Sequence, residues 1–96
     1  MTDTQNEYIA KAKENLDLLN AKIVELEARA NKKTGDVHRE FKTKLSAIRE
    51  SKDQTERRLE ELRLASKPAW EDVKKGVEQA RKSLSESIDK ASERFQ

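Results

Sequence analysis

Apolar side chains recur every three or four residues along most of this chain. In the first third, the steps between them alternate strictly between three and four residues, through Ile9, Ala12, Leu16, Leu19, Ile23, Leu26 and Ala30. A mean spacing of about 3.5 residues keeps one apolar seam of a helix facing a neighbouring helix. Residues 4–7, TQNE, have the form of a capping box, in which a Thr hydroxyl and a Glu carboxylate satisfy free backbone N–H groups. The pattern therefore predicts a helix that begins near residue 5.

The last third of the chain repeats this spacing. The apolar positions there are Trp70, Val73, Val77, Ala80, Leu84, Ile88, Ala91 and Phe95. Pro68 suits the first turn of a helix, and Lys67, which precedes it, is disfavoured in helical conformation. The sequence predicts a break at residues 66–67 and a second helix over about 68–95.

The middle of the chain carries a weaker seam. Its apolar positions are Val37, Phe41, Leu45 and Ile48, followed by Leu59 and Leu62. Residues 49–58, RESKDQTERR, contain no apolar side chain, so Lys52 and Thr55 occupy seam positions. We expect the packing at this polar gap to be weak or to include water.

The architecture depends on whether the chain turns at Gly35. The seam continues from Ala30 through Lys33 to Val37, and one glycine inside a helix costs only about 1 kcal/mol relative to alanine. These points favour a continuous helix over about 5–65, about 90 Å long, with the last helix folded back on it as an antiparallel coiled coil. The alternative is a three-helix bundle, in which Gly35 ends one helix in left-handed conformation and Asp36 caps the next. Both architectures are all-α and form a single domain over residues 1–96.

Twelve seam residues are predicted to form the helix–helix interface. In the long-helix architecture, those near the N-terminus have no partner in the same chain, which predicts a homo-oligomer or a docked partner helix. In the bundle, the same residues are covered by the chain itself, and a monomer results. The twelve are Ile9, Leu16, Leu19, Ile23, Leu26, Leu59, Leu62, Trp70, Val73, Val77, Leu84 and Ile88.

Composition and charge narrow the functional classes. Charged residues form 42% of the chain, and 21 basic residues against 19 acidic ones leave a net charge of only +2. Basic and acidic residues are interleaved, whereas nucleic-acid binding usually needs a concentrated basic surface, so we expect no nucleic-acid partner. Apolar runs are too short for a membrane span or a signal peptide, which predicts a cytoplasmic protein.

The chain offers few residues for catalysis or metal binding. His38 is the only histidine, there is no cysteine, and we expect His38 to be a surface residue. The adjacent carboxylates Glu60–Glu61 and Glu71–Asp72 point about 100° apart on a helix and cannot hold one cation between them. The sequence therefore predicts no catalytic residues, no cofactor and no metal site, and hence no enzyme.

Residues 68–80, PAWEDVKKGVEQA, and the terminal run ASERF at 91–95 resemble the tail of small bacterial coiled-coil proteins of the stress-response or uncharacterised type. The resemblance implies a cytoplasmic helical protein without known catalytic residues, and it favours helix continuity around Gly35. The expected function is that of a structural or interaction protein with a possible link to stress. A reversible lipid-surface protein with amphipathic helices is the alternative, and a membrane-surface partner is the weaker of the two expectations because the apolar seams are narrow.

Overall fold

The chain folds into three α-helices that pack against one another. The structure, a computed structural model, describes residues 2–95, and their side chains from Thr4 onward. Helix α1 spans Thr2–Asn31, α2 spans Gly35–Leu64, and α3 spans Trp70–Arg94, with a short 3-10 helix at Lys67–Ala69 before α3. The bundle measures 52 × 17 × 17 Å. The all-α prediction is confirmed, and the three-helix bundle is the architecture that forms.

The predicted continuous helix over 5–65 is wrong, because the chain turns between α1 and α2. Residues 32–34 connect the two helices, and Gly35 has a φ of 64°, the only positive φ among residues 2–95. The turn lets the apolar seam of α1 pack on the rest of the same chain. Each Leu or Ile buried in this way contributes about 1.5–3 kcal/mol, which outweighs the few hydrogen bonds that an unbroken helix would add at the turn.

His38 helps to close this turn. Its Nδ1 lies 2.8 Å from the carbonyl oxygen of Ala30, and the backbone N–H of Lys33 donates to the same oxygen at 3.1 Å. The carbonyls in the last turn of a helix have no partner within the helix, so these contacts stabilise the end of α1. His38 is half-buried and is therefore not the surface residue that the sequence analysis expected.

Two other predicted boundaries shift. Helix α1 begins at Thr2, so Thr4 lies inside the helix and the predicted capping box at 4–7 does not form its start. The break before the last helix is present, but Pro68 lies in the 3-10 helix and α3 proper begins at Trp70 rather than at 68. A proline at the first position of a tight helical turn loses no hydrogen bond, which explains its place there.

The core consists of two apolar clusters on either side of a polar layer. The cluster near the α1–α2 turn contains Leu16, Leu19, Ile23, Leu26, Ala30, Phe41, Leu45, Ile48, Leu84, Ile88, Ala91 and Phe95. The cluster at the other end contains Leu59, Leu62, Trp70 and Val77. Between them along α2, Thr55 is only 2% exposed, and its hydroxyl donates to the carbonyl of Ser51 at 2.9 Å. Lys52, the other residue of the predicted gap, lies within 3.6 Å of Glu56.

Candidate functional site

The twelve predicted interface residues all lie between helices of the same chain. Ten are buried, and Ile9 and Val73 are partly buried. The seam residues of α1, which would have no partner in the same chain in the long-helix architecture, are covered by α2 and α3. This seam is consequently not available to a partner, and the self-association deduced from it in the sequence analysis does not follow. Any interaction surface must lie on the outside of the bundle.

The outside of α1 carries an apolar ridge. Leu18 is 61% exposed and Val24 is 55% exposed, and Ala21, also exposed, lies between them one turn from each. The sequence contains a signal for this ridge in the pairs Leu18–Leu19 and Ile23–Val24. Neighbouring residues on a helix point about 100° apart, so only one member of each pair can face the seam.

Three carboxylates flank the ridge. Glu14, Asp17 and Glu25 are all exposed, and none of them forms an ion pair with another described residue of the chain. We call the ridge and these carboxylates together the α1 outer face. Lys22 is exposed on the same surface and Arg81 of α3 borders it, so the apolar residues are surrounded by charges of both signs.

A second surface lies between α2 and α3, on the side of the bundle away from α1. This α2/α3 groove has a volume of about 420 Å³. Its apolar floor and its polar walls are formed by Ala47, Ile48, Ala91, Phe95, Ser87, Lys44, Lys90 and Arg94. Every charged residue that lines it is basic.

The basic residues of the α2/α3 groove differ in their pairing. Arg94 donates to Glu40 at 2.7 Å and lies beside the ring of Phe95, which stacks on Phe41 with ring centres 4.1 Å apart. Lys44 and Lys90 form no ion pair with other described residues. Two of the three cations are thus free to meet a negatively charged partner.

The groove between α1 and α2 is smaller, about 300 Å³, and one pair of its charged residues, Glu60 and Arg63, is joined by an ion pair. The guanidinium of Arg63 donates to both carboxylate oxygens of Glu60, at 2.6 to 3.0 Å, which lowers the pKa of Glu60 and raises that of Arg63. Glu61 lies 3.9 Å from Arg58 instead. The adjacent carboxylates Glu60 and Glu61 therefore face different partners, as the helix geometry predicts.

An aromatic cluster packs the start of α1 against the start of α3. The ring of Tyr8 meets Trp70 edge-on with centres 5.6 Å apart, and Lys74 lies over the Tyr8 ring at 4.9 Å. The Tyr8 hydroxyl donates to Glu78 at 3.2 Å. Burial, together with the negative charge of Glu78 and this hydrogen bond, raises the pKa of Tyr8 to about 12. The hydroxyl remains protonated at neutral pH, which suits a structural contact.

Within residues 2–95, no group of three or more His, Asp and Glu side chains is placed to hold a metal ion. None of the helices over the same residues has both the length and the apolar character needed to cross a membrane. The chain matches no protein-family model, no curated protein and no solved structure.

Proposed function

We propose that this chain is a non-enzymatic structural or interaction protein that binds a helical partner through the α1 outer face. The observation that carries the proposal is the exposure of Leu18 and Val24 on a helix whose inner seam is already filled. Helices dock on one another through apolar side chains spaced three or four residues apart, and Leu18, Ala21 and Val24 have this spacing. A partner helix that covers them removes apolar surface from water, at about 25 cal/mol for each Å².

The mixed charges and the narrow apolar area of the α1 outer face favour a protein partner over a lipid surface. Helices that lie on membranes usually carry Lys and Arg beside their apolar face, because biological membrane surfaces are negatively charged. The α1 outer face instead carries Glu14, Asp17 and Glu25 together with Lys22, and Leu18 and Val24 are its only large apolar side chains. The lipid-surface alternative is for this reason the weaker hypothesis.

The resemblance of residues 68–80 to small bacterial coiled-coil proteins suggests a cytoplasmic and stress-related setting for this role. The stress-related part of the proposal rests on this resemblance, and the cytoplasmic part rests also on the short apolar runs of the sequence.

Photo-crosslinking tests the proposed function. A photo-reactive amino acid replaces Leu18 in one variant and Leu64 in a matched control, because Leu64 is also apolar and is 69% exposed. In cells that produce the protein, we expect an adduct with a helical segment at position 18, well above the yield at position 64. The double variant Leu18→Ser/Val24→Ser loses the complex, whereas Leu64→Ser keeps it. No adduct at position 18, or equal yields at both positions, contradicts the proposal.

A further inference from the structure

We infer that two copies of this chain exchange their α1 helices and so form a closed dimer. In this exchanged dimer, α1 and α2 of each chain join into one continuous helix, and α1 packs on α2 and α3 of the other copy. The seam of α1 is filled in both forms, and only the chain that fills it changes. The inference goes beyond the proposed function and does not depend on it, because the α1 outer face points away from the core in both forms.

Helix α1 is joined to the rest of the bundle by one short connection. Residues 32–34 link it to α2. It packs on α2 and α3 through its apolar seam and through polar contacts, such as the ion pair of Glu27 with Arg49 and the hydrogen bond from Tyr8 to Glu78. Each of these contacts forms equally well between two chains. Exchange of such an element reuses the interfaces of the single molecule and is therefore a low-cost route to a dimer.

The buried residues of α1 and α2 lie on one side when the two helices are joined. A helix has 3.6 residues per turn, so residues 18 positions apart are separated by five full turns and point the same way. Ile23 of α1 and Phe41 of α2 are separated in this way. So are Ala30 and Ile48, and all four residues are buried. A hairpin does not require this match, whereas a continuous helix needs it to present one seam to a second copy.

Val37 is an apolar residue that the single molecule leaves uncovered. In a joined helix it would point within about 20° of Ala30, because it lies seven positions further along the chain. In the structure, α1 has already ended at Asn31, and Val37 is 47% exposed. In the exchanged dimer, the continuous helix of the second copy covers it. Burial of Val37 is therefore a gain that only the dimer makes.

The ion pair between α1 and α2 determines where the two copies cross. Glu27 pairs with Arg49 in the single molecule, and in the exchanged dimer Glu27 of each copy pairs with Arg49 of the other. The position midway between 27 and 49 is 38, so the two-fold axis passes near residue 38. Val37 of one copy then lies beside Val37 of the second. A contact of this kind is isologous and closes at two molecules.

The turn permits both forms. Gly35 has a φ of 64°, a conformation that glycine adopts at little cost. Contacts across the turn, such as the one between His38 Nδ1 and the carbonyl oxygen of Ala30, are replaced in a continuous helix by regular backbone hydrogen bonds. Lys33 takes a seam position there, and its long stem allows the amine to stay in water. The balance between the two forms therefore depends on concentration and on the conformation of residue 35.

Two substitutions should shift this balance in opposite directions. Alanine at position 35 is disfavoured in left-handed conformation and favoured inside a helix, together by about tenfold or more for each chain. Because the dimer contains two such positions, Gly35→Ala should lower the dimer Kd at least about a hundredfold. Gly76→Ala is the matched control, because it replaces a glycine inside α3 and leaves the turn unchanged.

The second substitution, Val37→Asp, should raise the dimer Kd at least about tenfold, because two carboxylates then meet near the axis. In the single molecule the side chain at position 37 is exposed and lies in the first turn of α2, where an acidic residue is favourable. Circular dichroism should therefore show a folded monomer. Leu64→Asp is the matched control, because Leu64 is exposed and far from the axis.

Sedimentation velocity and small-angle scattering measure mass and length. The unaltered chain and both controls should be monomers at micromolar concentrations and form dimers towards millimolar concentrations. Gly35→Ala should dimerise already at tens of micromolar, and below that concentration it is a monomer with a strained turn. The joined helix over residues 2–64 is about 95 Å long, so the dimer should be a rod of at least about that length, against 52 Å for the bundle.

Thiol crosslinking distinguishes exchange from other kinds of dimer. The chain contains no cysteine, so the separate variants Glu27→Cys and Arg49→Cys each introduce a single thiol. When the two variants are mixed and allowed to exchange, a short bismaleimide should join them into a covalent dimer. Neither variant alone should give one, because like positions lie 11 residues on either side of the axis, about 33 Å apart. The double variant Glu27→Cys/Arg49→Cys, as a dilute monomer, should be joined within one chain.

The mixture is examined with the unaltered turn at millimolar concentration and again with Gly35→Ala at tens of micromolar, so the result does not depend on whether Gly35→Ala folds. Absence of a dimer in both backgrounds overturns the inference. So does a dimer in which the mixed variants are not joined, because it uses another surface. Equal dimer Kd values for Gly35→Ala and Gly76→Ala, or for Val37→Asp and Leu64→Asp, contradict the exchange as well. If these tests fail while position 18 still crosslinks to a helical protein, the inference is refuted and the proposed function stands.

Discussion

The same substitution at the two glycines of this chain should have opposite effects on stability. Gly35 lies at the start of α2 with a φ of 64°, whereas Gly76 lies inside α3 in ordinary helical conformation. An L-residue in left-handed conformation loses roughly 1–2 kcal/mol, because its Cβ approaches the following carbonyl oxygen. A Cβ at Gly35 meets no other atom within 4 Å, so this backbone cost is the whole effect of Gly35→Ala.

At Gly76 the same substitution should have the opposite effect on stability. A Cβ there lies 3.8 Å from the side chain of Arg58, an ordinary contact with a flexible group. The glycine therefore does not serve a close approach of helices, and Gly76→Ala should stabilise the fold by about 0.5–1 kcal/mol through higher helix propensity.

Thermal and urea unfolding followed by circular dichroism measure both effects. For a domain of this size, 1 kcal/mol corresponds to about 4–8 °C in Tm. We expect Gly35→Ala to lower Tm by about 5–15 °C and Gly76→Ala to raise it by about 2–8 °C. If Gly35→Ala is as stable as the unaltered protein, the left-handed turn is not what the chain adopts. Small-angle scattering then distinguishes the 52 Å bundle from a rod of about 90 Å.

Four further substitutions examine the core and the aromatic cluster. Ile23→Ala should lower the free energy of unfolding by about 2–5 kcal/mol because Ile23 is fully buried. Val24→Ala, at the exposed neighbouring position, should change it by less than about 0.5 kcal/mol, and urea unfolding measures both. Equal losses in the two variants contradict the assigned faces of α1. Thr55→Val should raise the free energy of unfolding by about 0.5–1 kcal/mol, because a buried methyl replaces a hydroxyl that bonds only to its own helix. A lower free energy of unfolding in this variant indicates a further partner for the hydroxyl. The pKa of Tyr8 is about 12 in the folded protein and 10.0 in an unperturbed tyrosine, so Tyr8 ionises first in the unfolded chain. The stability that is present below pH 10 should therefore fall as the pH rises towards 12. Tyr8→Phe should lack this part of the fall, and tyrosinate absorbance should report the late ionisation directly, because Tyr8 is the only tyrosine.

The parts of the fold that were predictable are those that depend on local spacing. The helical spacing and the residue preferences around Pro68 are properties of short segments, and they identified the helical class, the last helix and most of the residues that face inward. The assignment of Val37 to the seam is wrong, because Val37 follows the turn directly and is 47% exposed. The candidate site was harder to predict from the sequence. The ridge at Leu18 and Val24 could be found from adjacent apolar pairs, but the α2/α3 groove combines residues that lie far apart in the sequence, and no local pattern relates Lys44 to Lys90.

By itself, the sequence determined that this chain forms helices and which side of each helix is apolar. Only the tertiary structure decided that it turns at Gly35, and the physical reason lies in the helix period. From Ala30 to Phe41 is eleven residues, about three helical turns, so the spacing is the one that a continuous helix would show and gives no sign of the turn. Local preference at one glycine is worth about 1 kcal/mol, and it cannot outweigh the burial of a whole seam against helices that lie far along the chain.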